Sequence, residues 1–148
     1  MKSRHLANIC TILLLAAQLH AQTQPMDISA SGNNFLEICS SVDVPVVKAT
    51  ATDVRNMGLC QGYMDGLRDG VGVSIAILQH DNPSLGSLKG SVEDFGICFP
   101  EGVNLMQAIR VVLKYIRDHP GQAHLPSATL IVMAELDAFH CAKPVQRP

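Results

Sequence analysis

The chain has no tryptophan and only two tyrosines, Tyr63 and Tyr115, so it lacks the rings from which a sugar-stacking or base-stacking platform is built. It has no C-x-x-C pair and no H-E-x-x-H or other histidine ligand spacing, which argues against a zinc site. Neither a G-x-S-x-G elbow nor a phosphate-cradling glycine loop is present. The remaining histidines after the N-terminal segment, His80, His119, His124 and His140, are scattered, and His119 before Pro120 reads as a cation at a helix C-terminus. No constellation supports catalysis, and the chain reads as a non-enzyme without cofactor or metal.

Long apolar runs are missing too. The run from Ile9 to Leu19 is too short to span a bilayer, and it follows Lys2 and Arg4 and precedes Leu19-His20-Ala21. That order describes a secretory signal peptide, residues 1–21, cut before Gln22. Cys10 lies within the apolar run, a setting that does not suit a lipid-attached cysteine. Removing this segment takes away two of 11 basic residues and none of 13 acidic ones, leaving nine against 13, a net charge of −4. Such a charge disfavours nucleic acid and favours a basic protein partner. Four cysteines remain, Cys39, Cys60, Cys98 and Cys141, and an even number in an exported chain points to two disulfides.

The most informative stretch is Asp53 to Gly72. Met57, Cys60, Met64, Leu67, Val71, Ile75 and Leu78 follow at steps of three or four, the stripe of a helix running to about Gln79 with Thr52 or Asp53 as cap. Gly58, Gly62, Gly66 and Gly70 recur every fourth residue beside it, at about 0.8–1 kcal/mol each relative to alanine. A ridge without Cβ atoms suggests close packing against another backbone, in the same chain or in a second subunit. Asp65, Arg68 and Asp69 exclude a bilayer setting, and they read as a solvated or partner-facing surface.

Elsewhere, residues 22–34 read as a flexible leader and 35–148 as one helical domain. Asn33 or Asn34 is the expected cap of a short helix reaching about Ser41, and Pro45 makes VDVPVVKAT a connector. Residues 80–97 form the longest irregular stretch, rich in turn residues, and supply Ser87, Lys89, Glu93 and Asp94 as candidate partner contacts. Asn104 and Gln107 make a capping box before a helix with Leu105, Ile109, Val112 and Ile116 inward, stopped by Pro120 and Gly121. Pro126 opens the last helix, about Ser127 to His140, with Leu130, Met133, Leu136 and Phe139 or His140 inward. The whole is an all-α, disulfide-stabilised bundle of about four main helices. Two antiparallel helices joined by a short turn bring Cys98 near Cys141, and Cys39 can reach Cys60; three pairings are permitted by sequence, and this one is preferred.

The motifs together resemble a known family. C-x-G-Y-M-x-G at Cys60 to Gly66, C-x-P-E-G-V at Cys98 to Val103, K-Y-I-R-D-H-P at Lys114 to Pro120 and A-F-H-C at Ala138 to Cys141 resemble the Tai/Rap immunity domain over about residues 35–141. The resemblance implies a small periplasmic helical protein, usually a homodimer, that binds a peptidoglycan amidase delivered by type VI secretion and blocks its active site. One departure is His140, where the resemblance implies a proline. Two other readings stand beside it: an exported binding or chaperone-like helical module with no dedicated toxin, and an assembly subunit that associates through the glycine ridge.

Overall fold

The structure is a computed structural model and describes residues 26–82 and 91–141. The expected signal peptide, the first residues of the leader, Ser87 and Lys89 lie outside the described residues. Within them are four α-helices: α1 (Gly32–Cys39), α2 (Ala51–Asp81), α3 (Leu105–Asp118) and α4 (Ser127–Phe139). The described residues form no strand, only an isolated antiparallel bridge between Ile97 and His140. The expected all-α bundle of about four helices is what the chain adopts.

The N-terminal boundary lies earlier than the sequence reading placed it. Ser31, not Asn33 or Asn34, caps α1, its hydroxyl accepting the Asn34 N–H at 3.3 Å. The next donors are satisfied from outside the helix, Gly32 N–H by Leu125 O and Asn33 N–H by Ala123 O, both at 3.0 Å. A Cβ on Gly32 would run into the Leu130 side chain, so this is the glycine that close approach demands. Before it, Ile28 is buried, and the buried Ser127 shares its hydroxyl proton between Ile28 O at 2.6 Å and Ser31 O at 2.7 Å. Residues 28–34 are therefore docked on the start of α4, where a flexible leader was expected.

A capping box starts α2, but from Thr50 and not from Thr52 or Asp53. Thr50 Oγ1 accepts the Asp53 N–H at 3.2 Å and the Asp53 carboxylate accepts the Thr50 N–H at 2.8 Å. The Thr50 hydroxyl, donating to the Asp53 carboxylate at 2.7 Å, and the Thr50 N–H hold the Asp53 carboxyl below its usual range. The helix has 31 residues and so extends about 46 Å, far beyond the eight residues of α1 or the 14 of α3. Its stripe enters the main core in the first half through Cys60 and Met64; in the second half Ile75 is buried apart from that core and Leu78 is 51% exposed.

Asn104 caps α3 by accepting the Gln107 N–H at 2.9 Å, that half of the expected box, and the helix buries Ala108, Ile109, Val112, Leu113 and Ile116. The inward face of α4 differs from the expected one. Leu130, Ile131, Ala134, Glu135 and Phe139 are buried, while Leu136 is 37% exposed and Met133 half-buried. Contact with α3 on one side and α1 on another rotates the helix onto the Leu130–Ala134 and Ile131–Glu135 edges. Phe35, Cys39, Cys60, Met64, Ile109, Val112, Leu113, Ile116, Leu130 and Ile131 form one continuous core.

Both preferred disulfides are present. Cys39 and Cys60 join α1 to α2 with Cα atoms 5.3 Å apart, fully buried, and Cys98 and Cys141 are paired with Cα atoms 4.8 Å apart. Hydrogen bonds flank the second bridge, Cys98 N–H to Phe139 O at 2.6 Å and Cys141 N–H to Gly96 O at 2.8 Å. Gly96 has φ +84°, the left-handed turn that ends the 3-10 turn Val92–Phe95 and feeds this clamp. His140 sits at φ −58°, a value proline also takes, so the departure from the motif leaves the chain path as it is.

Candidate functional site

The second half of α2, the Val92–Phe95 turn and the outer face of α4 enclose a cavity of about 220 Å³. Leu67, Val71, Val92, Phe95, Ile97 and Val132 make its apolar walls, and Arg68 and Glu135 also border it with almost no polar surface turned inward. Arg68 lies one turn beyond the buried Met64, so its side chain starts on the core edge of α2. There Nη2 donates to Glu135 Oε1 at 2.9 Å, and the guanidinium lies 4.5 Å over the Phe99 ring, which in turn packs on Phe139 at 4.8 Å. The Arg68 side chain is 26% exposed and that of Glu135 only 3%. Burial pushes the Glu135 carboxyl above its ordinary range, and the hydrogen bond and charge of Arg68 pull it only part of the way back. Arg68 Nε is buried with no hydrogen-bond partner.

The sequence placed Arg68 on a solvated surface between Asp65 and Asp69. The two aspartates are exposed as expected, but Arg68 turns inward to Glu135 and away from them. Of the loop residues, Glu93 and Asp94 lie on the Val92–Phe95 turn beside the cavity, Asp94 accepting the Ser91 N–H at 3.3 Å. Within the 80–97 stretch, the Val92–Phe95 turn lies against α2.

Among the described residues the glycine ridge has no partner. A Cβ at Gly58, Gly62, Gly66 or Gly70 meets nothing within 4 Å among the described residues. Gly66 and Gly70 border an open groove of about 380 Å³ together with Leu67, Val71, Ser74 and Phe95. Of the two neighbours considered from sequence, the intramolecular one is not found among the described residues.

Sequence reasoning missed Glu135, the one buried acid among the described residues. The available signal was its position four residues after Ile131 and one after Ala134 in a largely apolar helix, with Arg68 one turn after Met64 on α2 to pair with it. His119 closes α3, with Nδ1 2.8 Å from Tyr115 O and its ring stacked on Tyr115 at 4.2 Å. His140 has no thiol to tune, since Cys141 is bonded to Cys98. Among the described residues no three His, Cys, Asp or Glu side chains are placed to hold a metal ion.

The family model of Rap1a immunity proteins matches residues 31–141, a span that holds all four helices and both disulfides. No curated protein and no solved structure matches the chain.

Proposed function

The chain belongs to the Rap1a immunity protein family, and from that premise we propose that it is a periplasmic immunity protein that binds a peptidoglycan amidase delivered by type VI secretion and inhibits it by covering the active site. The family match over residues 31–141 is the observation that carries this reading. Two closed disulfides suit an oxidising compartment, and no helix among the described residues is long and apolar enough to cross a membrane. Inhibition by occlusion asks no chemistry of the inhibitor, only a rigid body with a complementary surface, and a few buried side chains carry most of such an interface.

The contact surface we assign is the 80–97 stretch, with Ser87, Lys89, Glu93 and Asp94, backed by Asp65 and Asp69 on the exposed side of α2. Replacing residues 84–91 by a short Gly-Ser linker should leave melting nearly unchanged and weaken effector binding at least tenfold, about 1.4 kcal/mol. The decisive experiment is co-expression with an exported cysteine amidase encoded beside this gene. Protection of the cells and a stable complex are expected. An intact protein that neither binds nor protects against it would remove the amidase reading.

A homodimer through the glycine ridge completes the proposal. Because a Cβ at Gly66 meets nothing among the described residues, Gly66→Leu should leave the fold intact and abolish association, read by sedimentation. A leucine variant that still dimerises would clear the ridge of that role. A chaperone-like module is the second reading, favoured by Val73, Ile77 and Phe95, each more than half exposed. Suppression of aggregation of unrelated unfolded proteins, without preference for the amidase, would put it first.

A further inference from the structure

The two disulfides are set in different surroundings. Cys39–Cys60 lies inside the main core, whereas Cys98 and Cys141 stand outside it, the first exposed and the second half-buried. An attacking thiolate needs access to a sulfur, so solvent reaches the outer bridge while the inner one is shielded. The outer bridge closes a short antiparallel ladder. Cys98 N–H donates to Phe139 O at 2.6 Å, Cys141 N–H donates to Gly96 O at 2.8 Å, and Ile97 pairs with His140 between them. Two extended segments this short are marginal in water by themselves.

A single run of contacts backs the ladder. Phe99 follows Cys98, Phe139 precedes Cys141 by two residues, and their rings pack at 4.8 Å. Arg68 of α2 lies 4.5 Å over the Phe99 ring and donates to Glu135 at 2.9 Å, one turn of α4 before Phe139. Towards the N-terminus the ladder continues into the Val92–Phe95 turn, through Gly96 at φ +84° and the Ile97 N–H bonded to Val92 O at 3.2 Å. Ile97 and Phe139 are buried, yet neither belongs to the main core. The turn, the ladder, the aromatic pair and the Arg68–Glu135 pair thus form a satellite unit, and among the described residues Cys98–Cys141 is the one covalent tie across its ladder. Beneath it α3 and α4 keep their own packing through Ile109, Val112, Leu113, Leu130 and Ile131.

We propose that Cys98–Cys141 is a redox latch: closed, it holds residues 91–99 against α2 and the end of α4, and opened by a dithiol it releases that segment while the main core stays folded. In the opening step a thiolate of the dithiol attacks the sulfur of Cys98, the exposed partner; the Cys98–Cys141 bond breaks and Cys141 leaves as a thiolate that takes up a proton. The second thiolate of the dithiol then attacks the dithiol's own sulfur in the mixed disulfide and frees Cys98, which is protonated in turn. Two electrons and two protons have passed to the protein, and the dithiol has become a disulfide. Exchange with an oxidising disulfide runs the same steps backwards and closes the latch. Because Glu93 and Asp94 ride on the released segment, the assigned effector surface is complete only when the latch is closed. That consequence rests on the immunity reading, whereas the latch itself does not.

The test is made in dithiothreitol redox buffers, poised so that alkylation and mass mapping find Cys98 and Cys141 free and Cys39–Cys60 intact. At that poise the ¹⁵N–¹H NOE of Val92, Phe95, Ile97 and Phe99 should fall to the values of a loop, and the NOE between the Phe99 and Phe139 rings should vanish. The amide signals of Ile109, Val112 and Leu113 should stay in place. The Cys98→Ser, Cys141→Ser double variant should show the same pattern without reductant. Coupling is reciprocal, so Phe99→Ala should open Cys98–Cys141 at a reduced-to-oxidised dithiothreitol ratio at least threefold lower, with Cys39–Cys60 unmoved. Unchanged order in residues 91–99 after reduction, loss of the α3 signals along with theirs, or an unshifted ratio in Phe99→Ala would overturn the latch. The double variant should also bind the amidase at least tenfold more weakly than the wild type. If both bind it equally, the effector docks elsewhere and the regulatory role falls while the immunity reading stands. If the segment loosens but no amidase binds either protein, the immunity reading falls while the latch stands.

Discussion

Arg68→Ala is expected to lower stability by about 2–4 kcal/mol at neutral pH, because it strands the Glu135 carboxylate in a site only 3% exposed. Removing one partner of a buried pair typically costs about 3–5 kcal/mol, and the 26% exposure of Arg68 moves the expectation toward the lower end. The pH dependence follows from the direction of the shift. Burial already raises the Glu135 carboxyl in the folded state, and without Arg68 the opposing pull is gone, so it rises further. A carboxyl raised in the folded state contributes stability below its unfolded value and loses it as pH climbs through the folded value. The deficit of the variant should therefore be small near about pH 4 and full near about pH 7, read from urea midpoints. Glu135→Gln, neutral at both, should show a smaller loss with little pH dependence. An Arg68→Ala deficit of equal size at both pH values would assign it to lost packing on Phe99 instead of to charge.

Removing the disulfides should have the other large effect. Paired alanine replacement of Cys39 and Cys60, 21 residues apart, is expected to cost about 3 kcal/mol, and that of Cys98 and Cys141, 43 apart, about 4 kcal/mol in the chain-entropy account. Together these rival the net stability of about 5–15 kcal/mol of an ordinary domain, so the quadruple variant should be unfolded at body temperature. The two bridges also differ in access. Cys39 and Cys60 are fully buried, whereas Cys98 is exposed and Cys141 half-buried. Mild reductant under native conditions should open Cys98–Cys141 first and leave Cys39–Cys60 closed until the core opens, as mass mapping of alkylated thiols would show. Simultaneous reduction of both would mean that the buried pair is reached by local opening of α1.

What the sequence revealed, and what it concealed, divides along physical lines. Local signals read well. The stripe of α3 with Asn104 ahead of it and Pro120 behind, and the apolar steps through Cys60 and Met64, depend only on helix period and termini. The pairing of Cys98 with Cys141 followed from two antiparallel helices. Features set by distant partners were misread. Ser31 became the cap because Leu125 and Ala123 carbonyls receive the next N–H groups, and no local pattern announces that. Glu135 reads as a solvent-facing acid unless Arg68, 67 residues earlier, is known to reach it. Four glycines in register suggested a near neighbour, yet it is Gly32, outside the pattern, that Leu130 crowds. Spacing reports which residues share a face, and only the fold decides what stands opposite.

The order of the four cysteines along the chain has a further consequence. Cys39–Cys60 closes entirely before position 83, and Cys98–Cys141 closes entirely after position 90. A single proteolytic nick between those positions would therefore yield two fragments with no covalent link, each a looped piece with its own crosslink. One would carry α1 and α2, the other α3 and α4. Their reassociation would depend on the shared core, where Phe35 and Met64 from one fragment meet Ile109 and Leu130 from the other, and on Arg68 finding Glu135. The protein is in this sense two covalently independent halves spliced at one junction, and a split-fragment pair cut there would report directly on how much of the molecule's cohesion is non-covalent.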